Sequence, residues 1–266
     1  MPRTTLALTS FVSGEFSAKL DGRTDFQKYN TSCKTLENFL VHPQGAATRR
    51  VGTQFIAEVK SSAAKTRLIP FEFSTTQTYI MEFGNNYIRF YKDKGQILSG
   101  GSAYEIASPY ATSELFDIKF AQSADVMYLC HPNHDVRKLS RSGHTSWTLA
   151  TVSFTGSPSP AISGADNRPS CVSFFEQRLV FANTNNNPQT LFFSKSGDYE
   201  NMTTGTNADD AMIYTIASNQ VNAIQFLKAQ RTLIVGTTGG EFTVSADGTN
   251  ASITPTNILI NRQSSY

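Results

Sequence analysis

The sequence is poor in charged residues, in cysteine and in long apolar runs. Charged side chains make up 17% of its 266 residues, against about 25% in a typical globular protein. The three cysteines, Cys33, Cys130 and Cys171, stand far apart and form no CxxC pair, which argues against a disulfide framework and fits folding in a reducing cytoplasm. No stretch approaches the roughly 18 apolar residues of a membrane-spanning helix, so no membrane-spanning segment is expected.

An excess of charge of either sign is also missing. The sequence has 23 Lys and Arg against 21 Asp and Glu, a net charge of +2, whereas nonspecific nucleic-acid binding usually shows as a clustered basic surface. What the sequence does have is 19 Phe and 10 Tyr among many Ser, Thr and Asn residues. A polar, weakly charged chain of this kind is typical of strands and tight turns. The composition predicts an all-β fold and excludes fibrous, coiled-coil and wholly disordered chains.

An internal repeat of about 50 residues runs through residues 61–266. Each of four units begins with an apolar–x–aromatic triplet, at Ile69-Pro70-Phe71, Ile118-Lys119-Phe120, Val172-Ser173-Phe174 and Ile224-Gln225-Phe226. Two apolar segments, a glycine turn and a short strand follow each triplet, and that last strand is clearest at Trp147–Leu149 and Ala251–Ile253. Strand, strand, strand, turn, strand is the pattern of a β-propeller blade. The repeat therefore predicts a β-propeller-like domain of four blade-like units, with an irregular β-sandwich as the alternative.

Residues 1–60 lie outside the repeat and are expected to form a separate N-terminal segment. The apolar residues between Phe26 and Phe39 recur at helical spacing, Thr24 and Asp25 suit a helix start, and Pro43 follows. This pattern predicts one amphipathic helix over residues 24–41, packed through its apolar stripe.

The segment from His131 to Asp135, with Cys130 before it, is the best candidate for a metal site. Zinc takes about four nitrogen, sulfur or oxygen ligands in tetrahedral geometry, usually three of them from the protein in catalytic sites, and the segment carries side chains of these kinds. Pro132 and the adjacent strand end indicate a hairpin loop, in which His131 more simply makes a hydrogen bond. We expect no metal site and no cofactor.

The sequence contains carboxylates that could act in catalysis, but their spacing does not match a known catalytic motif. A glycosidase needs two carboxylates about 5–10 Å apart, or a tyrosine nucleophile with an acidic partner. No spacing selects a pair among the carboxylates Glu82, Glu176, Asp209, Asp210 and Glu241. The sequence contains neither a Gly-x-Ser-x-Gly elbow nor an HExxH segment. We therefore expect no enzyme.

Several ordered segments resemble one protein family. They are Phe11–Ser17, Leu20–Asp25, Lys28–Tyr29, Leu36–Phe39, Pro43–Gly45, Arg49–Thr53, Arg67–Phe71, Tyr87–Tyr91, Ala121–Asp125, His131–Pro132, Ser146–Thr148 and Phe192–Tyr199. Together they resemble the tail nozzle proteins of short-tailed phages, the tail tubular protein B class, nearly from end to end. Members of that class are much longer, so the resemblance implies an N-terminal fragment whose propeller-like domain is incomplete at its C-terminus.

The resemblance implies a structural role. Such proteins form a six-fold ring at the tail tip that continues the DNA ejection channel, contacts the tail adaptor protein and lies near the tail fibres. We therefore expect a virion protein, made in the cytoplasm of the host bacterium, that forms a homo-oligomeric ring through which phage DNA passes transiently. Arg23, Arg49 and Arg50 are the expected assembly contacts, because they lie in the segment outside the repeat.

The alternative is a stand-alone β-propeller module that binds glycans or proteins. Tyr104, Tyr110 and Trp147 stand in polar stretches of sequence, where aromatic rings could stack on sugars. The competing interpretation is that these three residues pack in the core or in hairpins.

Overall fold

The computed structural model describes residues 7–217, 220–248 and 251–265. The chain divides into two compact units, Met1–Phe55 and Ile56–Tyr266. Within the described residues the only helical structure is two short 3₁₀ turns, Ala18–Leu20 and Tyr29–Thr31, and no helix there has the length and apolarity to cross a membrane. The predicted all-β class is confirmed.

The N-terminal unit contains two small sheets. In the first, β1 (Gly14–Glu15) pairs in parallel with β2 (Ser32–Cys33). In the second, β3 (Phe39–Val41) pairs antiparallel with β4 (Ala47–Arg49).

The predicted helix over residues 24–41 is wrong. This stretch forms turns, the second 3₁₀ turn, β2 and β3 instead. It is rich in Asn, Thr and Ser, whose short polar side chains compete with helical hydrogen bonding. Ser32 shows the effect, since its Oγ donates to the carbonyl oxygen of Tyr29 at 2.7 Å. Asn38, at φ 63°, then has the left-handed backbone that breaks any continuing helix.

Among its described residues the larger unit contains four antiparallel sheets of four or five strands, in chain order, and one separate two-stranded hairpin. Sheet I comprises β5 (Arg67–Ser74), β6 (Gln77–Gly84), β7 (Tyr87–Lys92), β8 (Gly95–Gln96) and β11 (Glu105–Ala107), and the hairpin of β9 (Leu98–Ser99) and β10 (Ser102–Ala103) lies between the last two along the chain. Sheet II comprises β12 (Lys119–Ser123), β13 (Val126–His131), β14 (His134–Gly143) and β15 (Ser146–Thr151). Sheet III comprises β16 (Cys171–Phe175), β17 (Arg178–Ala182), β18 (Thr190–Phe193) and β19 (Met212–Thr215). Sheet IV comprises β20 (Ile224–Ala229), β21 (Leu233–Thr237), β22 (Gly240–Ser245) and β23 (Leu259–Arg262).

The sequence repeat corresponds to these sheets. Their first strands begin at residues 67, 119, 171 and 224, and each contains part or all of a predicted triplet. The strand predicted at Ala251–Ile253 is wrong, because the fourth strand of sheet IV is β23. Ile253 is buried in the core instead, and its N–H donates to Glu176 Oε2 at 2.7 Å.

Three apolar cores lie between consecutive sheets. The first joins sheets I and II, the second joins II and III, and the third joins III and IV. Strand β17 shows how one strand serves two cores. Leu179 and Phe181 pack in the second core, while Val180 and Ala182 pack in the third, because successive side chains of a strand point to opposite faces. Sheets II and III are therefore covered on both faces by their neighbours in the stack.

Candidate functional site

The three arginines expected to make assembly contacts are all exposed in the N-terminal unit. Arg23 donates two hydrogen bonds to the Asp25 carboxylate, at 2.8 and 2.7 Å. Arg49 ends β4 opposite Phe39, and Arg50 Nε donates to Asn38 Oδ1 at 3.1 Å.

The apolar side chains of this unit form no core among residues 7–55. Among residues 7–55, only Gly45 is buried. Seven large apolar side chains of this unit are exposed instead, namely Leu8, Val12, Phe26, Phe39, Leu40, Val51 and Phe55. A folded segment with so much exposed apolar surface is typical of a chain that contacts a partner.

The outer faces of sheets I and IV, the faces turned away from the three cores, also carry apolar side chains. On sheet I, Leu68 is 63% exposed and Ile80 is 41% exposed. Together with Ile56 and Tyr91 they line a groove of about 540 Å³. On sheet IV, Phe226 is 48% exposed, and its ring lies so close to Gly236 that a Cβ at that position would be 2.0 Å from it.

A buried carboxylate lies beneath the groove on sheet I. Glu82 is fully buried and accepts hydrogen bonds from the hydroxyls of Tyr87, at 2.5 Å, and Tyr91. The N–H of Lys60 donates to the same carboxylate at 3.4 Å. Burial, and then the hydrogen bond to Glu82, raises the pKa of Tyr91 to about 12 and raises that of Tyr87 as well.

The hydrogen bonds from Tyr87 and Tyr91 to Glu82 bear on the glycosidase hypothesis. A tyrosine beside a carboxylate is one of the two arrangements that a glycosidase uses. A nucleophile, however, is activated by a lowered pKa or by a base, and the shift of the Tyr87 pKa is in the opposite direction. Among the other carboxylates, Asp209 and Asp210 lie 2.9 and 3.7 Å from Lys195 Nζ. We therefore interpret the Glu82 cluster as a structural hydrogen-bond network.

The histidines of the predicted loop come together with a carboxylate that the sequence analysis missed. Ligand atoms of Glu114, His131 and His134 all lie within 4.8 Å of one another. His134 Nε2 is 2.9 Å from Glu114 Oε2, and the N–H of Ala111 donates to the same oxygen at 2.9 Å. His131 makes the hydrogen bond expected of it, since its Nδ1 accepts from the Asn133 N–H at 3.0 Å.

Cys130, which precedes the histidine loop in sequence, lies apart from this cluster. Cys130 is fully buried in the core between sheets II and III and does not belong to the cluster. The third member of the cluster is Glu114, which lies in the turn before β12, 17 residues before His131 in sequence. No motif links a lone glutamate in a turn to a later hairpin, so only the fold reveals it.

Charges in the cluster follow from its hydrogen bonds. Burial alone would raise the pKa of Glu114, but the hydrogen bonds from Ala111, His134 and Asn133 outweigh it and lower this pKa to about 2. Burial lowers the pKa of His131. The cluster therefore holds an ionised Glu114 carboxylate and a neutral His131 imidazole at neutral pH.

The aromatic residues proposed for sugar stacking lie in the core. Tyr110 is fully buried, Trp147 is 6% exposed, and Tyr104 packs against the same core between sheets I and II. These three residues pack in the core, as the competing interpretation predicts, and they give no support to the glycan-binding alternative.

Comparison with known proteins adds no assignment. Neither a scan against protein-family models nor a search of curated proteins yields a match to this chain. The function of this chain is therefore inferred from the residues described above.

Proposed function

We propose that this chain is a structural subunit of a short-tailed phage tail nozzle, in which sheets I to IV are consecutive blades of a β-propeller-like domain. The subunits assemble into a ring, six-fold by resemblance, that contacts the tail adaptor and the tail fibres and lets DNA pass during ejection. The protein acts by assembly, and no residue has a catalytic role.

The main support for this proposal is the exposed apolar surface on the outer faces of sheets I and IV. Each inner sheet has both faces covered, whereas Leu68 and Ile80 at one end of the stack, and Phe226 and Leu259 at the other, remain 40–63% exposed. Exposed apolar strands at the ends of a sheet stack invite pairing with further protein. In the proposed assembly these faces are covered by further blades or by neighbouring subunits.

The N-terminal unit supports the same role. Its seven exposed apolar side chains are surface that a ring of subunits would bury. The positions of Arg49 and Arg50 beside the exposed Phe39 and Val51 suit an interface with an apolar centre and a charged rim.

The charge balance agrees with passage of DNA. Each phosphate that a protein neutralises strengthens its hold on DNA, and a conduit that gripped its cargo would slow ejection. A net charge of +2 over 266 residues permits weak contact with DNA during sliding.

Electron microscopy tests the proposal directly. Antibodies raised against the purified 266-residue chain should label the tail tips of phage particles from the source strain. In negative stain, the purified protein should form rings or short tubes with a central channel. Particles without label, together with single compact molecules at tens of micromolar, would overturn the proposal.

A paired set of variants links assembly to the outer face of sheet I. Leu68→Glu and Ile80→Glu should abolish rings and leave folded monomers, measured by light scattering after size exclusion. Thr148→Glu places the same charge at an exposed strand position of sheet II and should leave the rings intact.

A further inference from the structure

We propose that Glu114, His131 and His134 form a binding site for one divalent transition-metal cation of the zinc class. Three side chains of two ligand types, from a turn and from a hairpin, converge there, with ligand atoms within 4.8 Å of one another. The proposal is independent of the nozzle function.

The hairpin between β13 and β14 positions the two histidines. His131 ends β13, His134 begins β14, and the two residues pair across the ladder. Their rings lie with centroids 5.2 Å apart. Directly paired residues of an antiparallel ladder present their side chains on the same face, so the hairpin places both imidazoles toward Glu114.

Glu114 is held in place by groups other than the histidines. The Ala111 N–H fixes its Oε2, and Asn133 Nδ2 donates to its Oε1 at 3.2 Å. Supporting hydrogen bonds of this kind orient metal ligands and improve their affinity.

A buried atom without a partner points to a ligand. Nε2 of His131 has no hydrogen-bond partner among the described residues, although His131 is only 1% exposed. Buried polar atoms are nearly always satisfied. Because Nδ1 accepts from the Asn133 N–H, Nε2 carries the ring hydrogen and lacks an acceptor. A cation that takes the place of this hydrogen removes the unsatisfied buried donor.

Binding has a consequence for the hairpin. The Asn133 N–H now donates to Nδ1 of His131, so the neutral ring carries its hydrogen on Nε2. Coordination through Nε2 moves that hydrogen to Nδ1, and coordination through Nδ1 occupies the lone pair directly. In both cases the Asn133 amide loses this hydrogen bond when the cation binds.

The donor set selects the class of metal. Two imidazole nitrogens and one carboxylate oxygen suit Zn²⁺, Co²⁺ or Ni²⁺, whereas Mg²⁺ and Ca²⁺ prefer oxygen ligands alone. Three protein ligands leave one tetrahedral position for water. The bound cation would tie the turn that carries Glu114 to the β13–β14 hairpin at one end of sheet II.

Titration of the chelator-treated protein with Co²⁺ and Zn²⁺ tests the site. We expect visible Co²⁺ absorption that saturates at one equivalent per chain and is displaced by Zn²⁺. His134→Gln and Glu114→Gln should each weaken binding at least about tenfold, and in the wild type the NMR signal of the Asn133 amide should shift on saturation. Both variants alter partly exposed side chains, and thermal melts in chelator verify that they fold.

The two histidines outside the cluster provide matched controls. His42→Gln and His144→Gln should bind Co²⁺ as the wild type does. Equal binding by wild type and His134→Gln, an unmoved Asn133 amide, or a thiolate charge-transfer band that reveals cysteine ligands would overturn the site.

Discussion

Arg178 donates a hydrogen bond from Nη1 to the backbone carbonyl oxygen of Asp210 at 2.7 Å. The same guanidinium reaches the carbonyl oxygens of Ser194, at 2.7 Å, and Ala208, at 2.6 Å. The residue is 1% exposed, and burial lowers the pKa of its guanidinium. One buried cation thus anchors the connection between β18 and β19 to the start of β17.

Replacing this cation should destabilise the fold. Arg178→Met keeps an apolar stem but leaves three carbonyl oxygens without their donor, so we expect a loss of about 2–4 kcal/mol in the free energy of unfolding. Urea titration followed by circular dichroism measures it. Arg231→Met, at an exposed position, should stay within about 0.5 kcal/mol of wild type. Equal midpoints for the two variants would contradict the anchoring role.

The core between sheets I and II should depend strongly on its tryptophan. Trp147 stacks on Phe90 with ring centroids 4.4 Å apart and meets Phe71 edge-on at 4.8 Å. Trp147→Ala removes both contacts and leaves a cavity, so we expect a loss of about 3–5 kcal/mol. Trp147→Phe keeps an aromatic ring and should cost clearly less. A small loss for the alanine variant, by the same urea titration, would show that the site collapses without penalty.

Stability should fall at alkaline pH. Folding raises the pKa of Tyr87 and Tyr91 above the ordinary value of about 10, the latter to about 12. The unfolded chain therefore loses these protons first, so their contribution is complete below pH 10 and declines between about pH 10 and 12.

Urea midpoints from pH 8 to 11.5 measure this alkaline decline. Tyr91→Phe should flatten it, and Tyr29→Phe, in the N-terminal unit, should not. A decline of the same steepness in Tyr91→Phe as in wild type would refute the assignment.

The three cysteines should react at different rates. Cys130 and Cys171 are buried, and burial raises the pKa of both thiols, whereas Cys33 is partly exposed. Because the thiolate is the reactive form, a thiol reagent should modify one cysteine quickly in the native protein and three in urea. Cys33→Ser should remove the fast phase. Rapid modification of two or three thiols in the native state would contradict the described cores.

The sequence was most informative where packing imposes a period. The triplets and apolar runs of residues 61–266 located the first three strands of all four sheets, because strands that face a core carry apolar residues at regular positions. The fourth strand was located in sheet II, at Trp147–Leu149, and misplaced in sheet IV. Arg178 was invisible to this reasoning, since nothing in the sequence links it to carbonyl groups some 16–32 residues later.

The wrong helix prediction has a physical cause, which is the absence of a buried face to fix the local structure of residues 24–41. The spacing from Phe26 to Phe39 looked helical, but this segment has no core to pack against within its unit, so turn-forming Ser32 and Asn38 determine the backbone. The sequence analysis expected no metal site, but it considered His131 and His134 as ligands because they are close in sequence. It missed Glu114, which meets them only through the packing of the turn before β12.

The alternation of Val180 and Leu179 between two cores has a consequence for cooperativity. Melting sheet III would strip one face from each neighbour and expose two apolar layers at once, so the interior of the stack should unfold as a block. Melting sheet I or sheet IV would expose only one apolar layer, so unfolding should begin at these two end sheets. Amide hydrogen exchange along the chain should accordingly be slowest in β13 and β17 and faster toward β5 and β23, as in a one-dimensional array of coupled units.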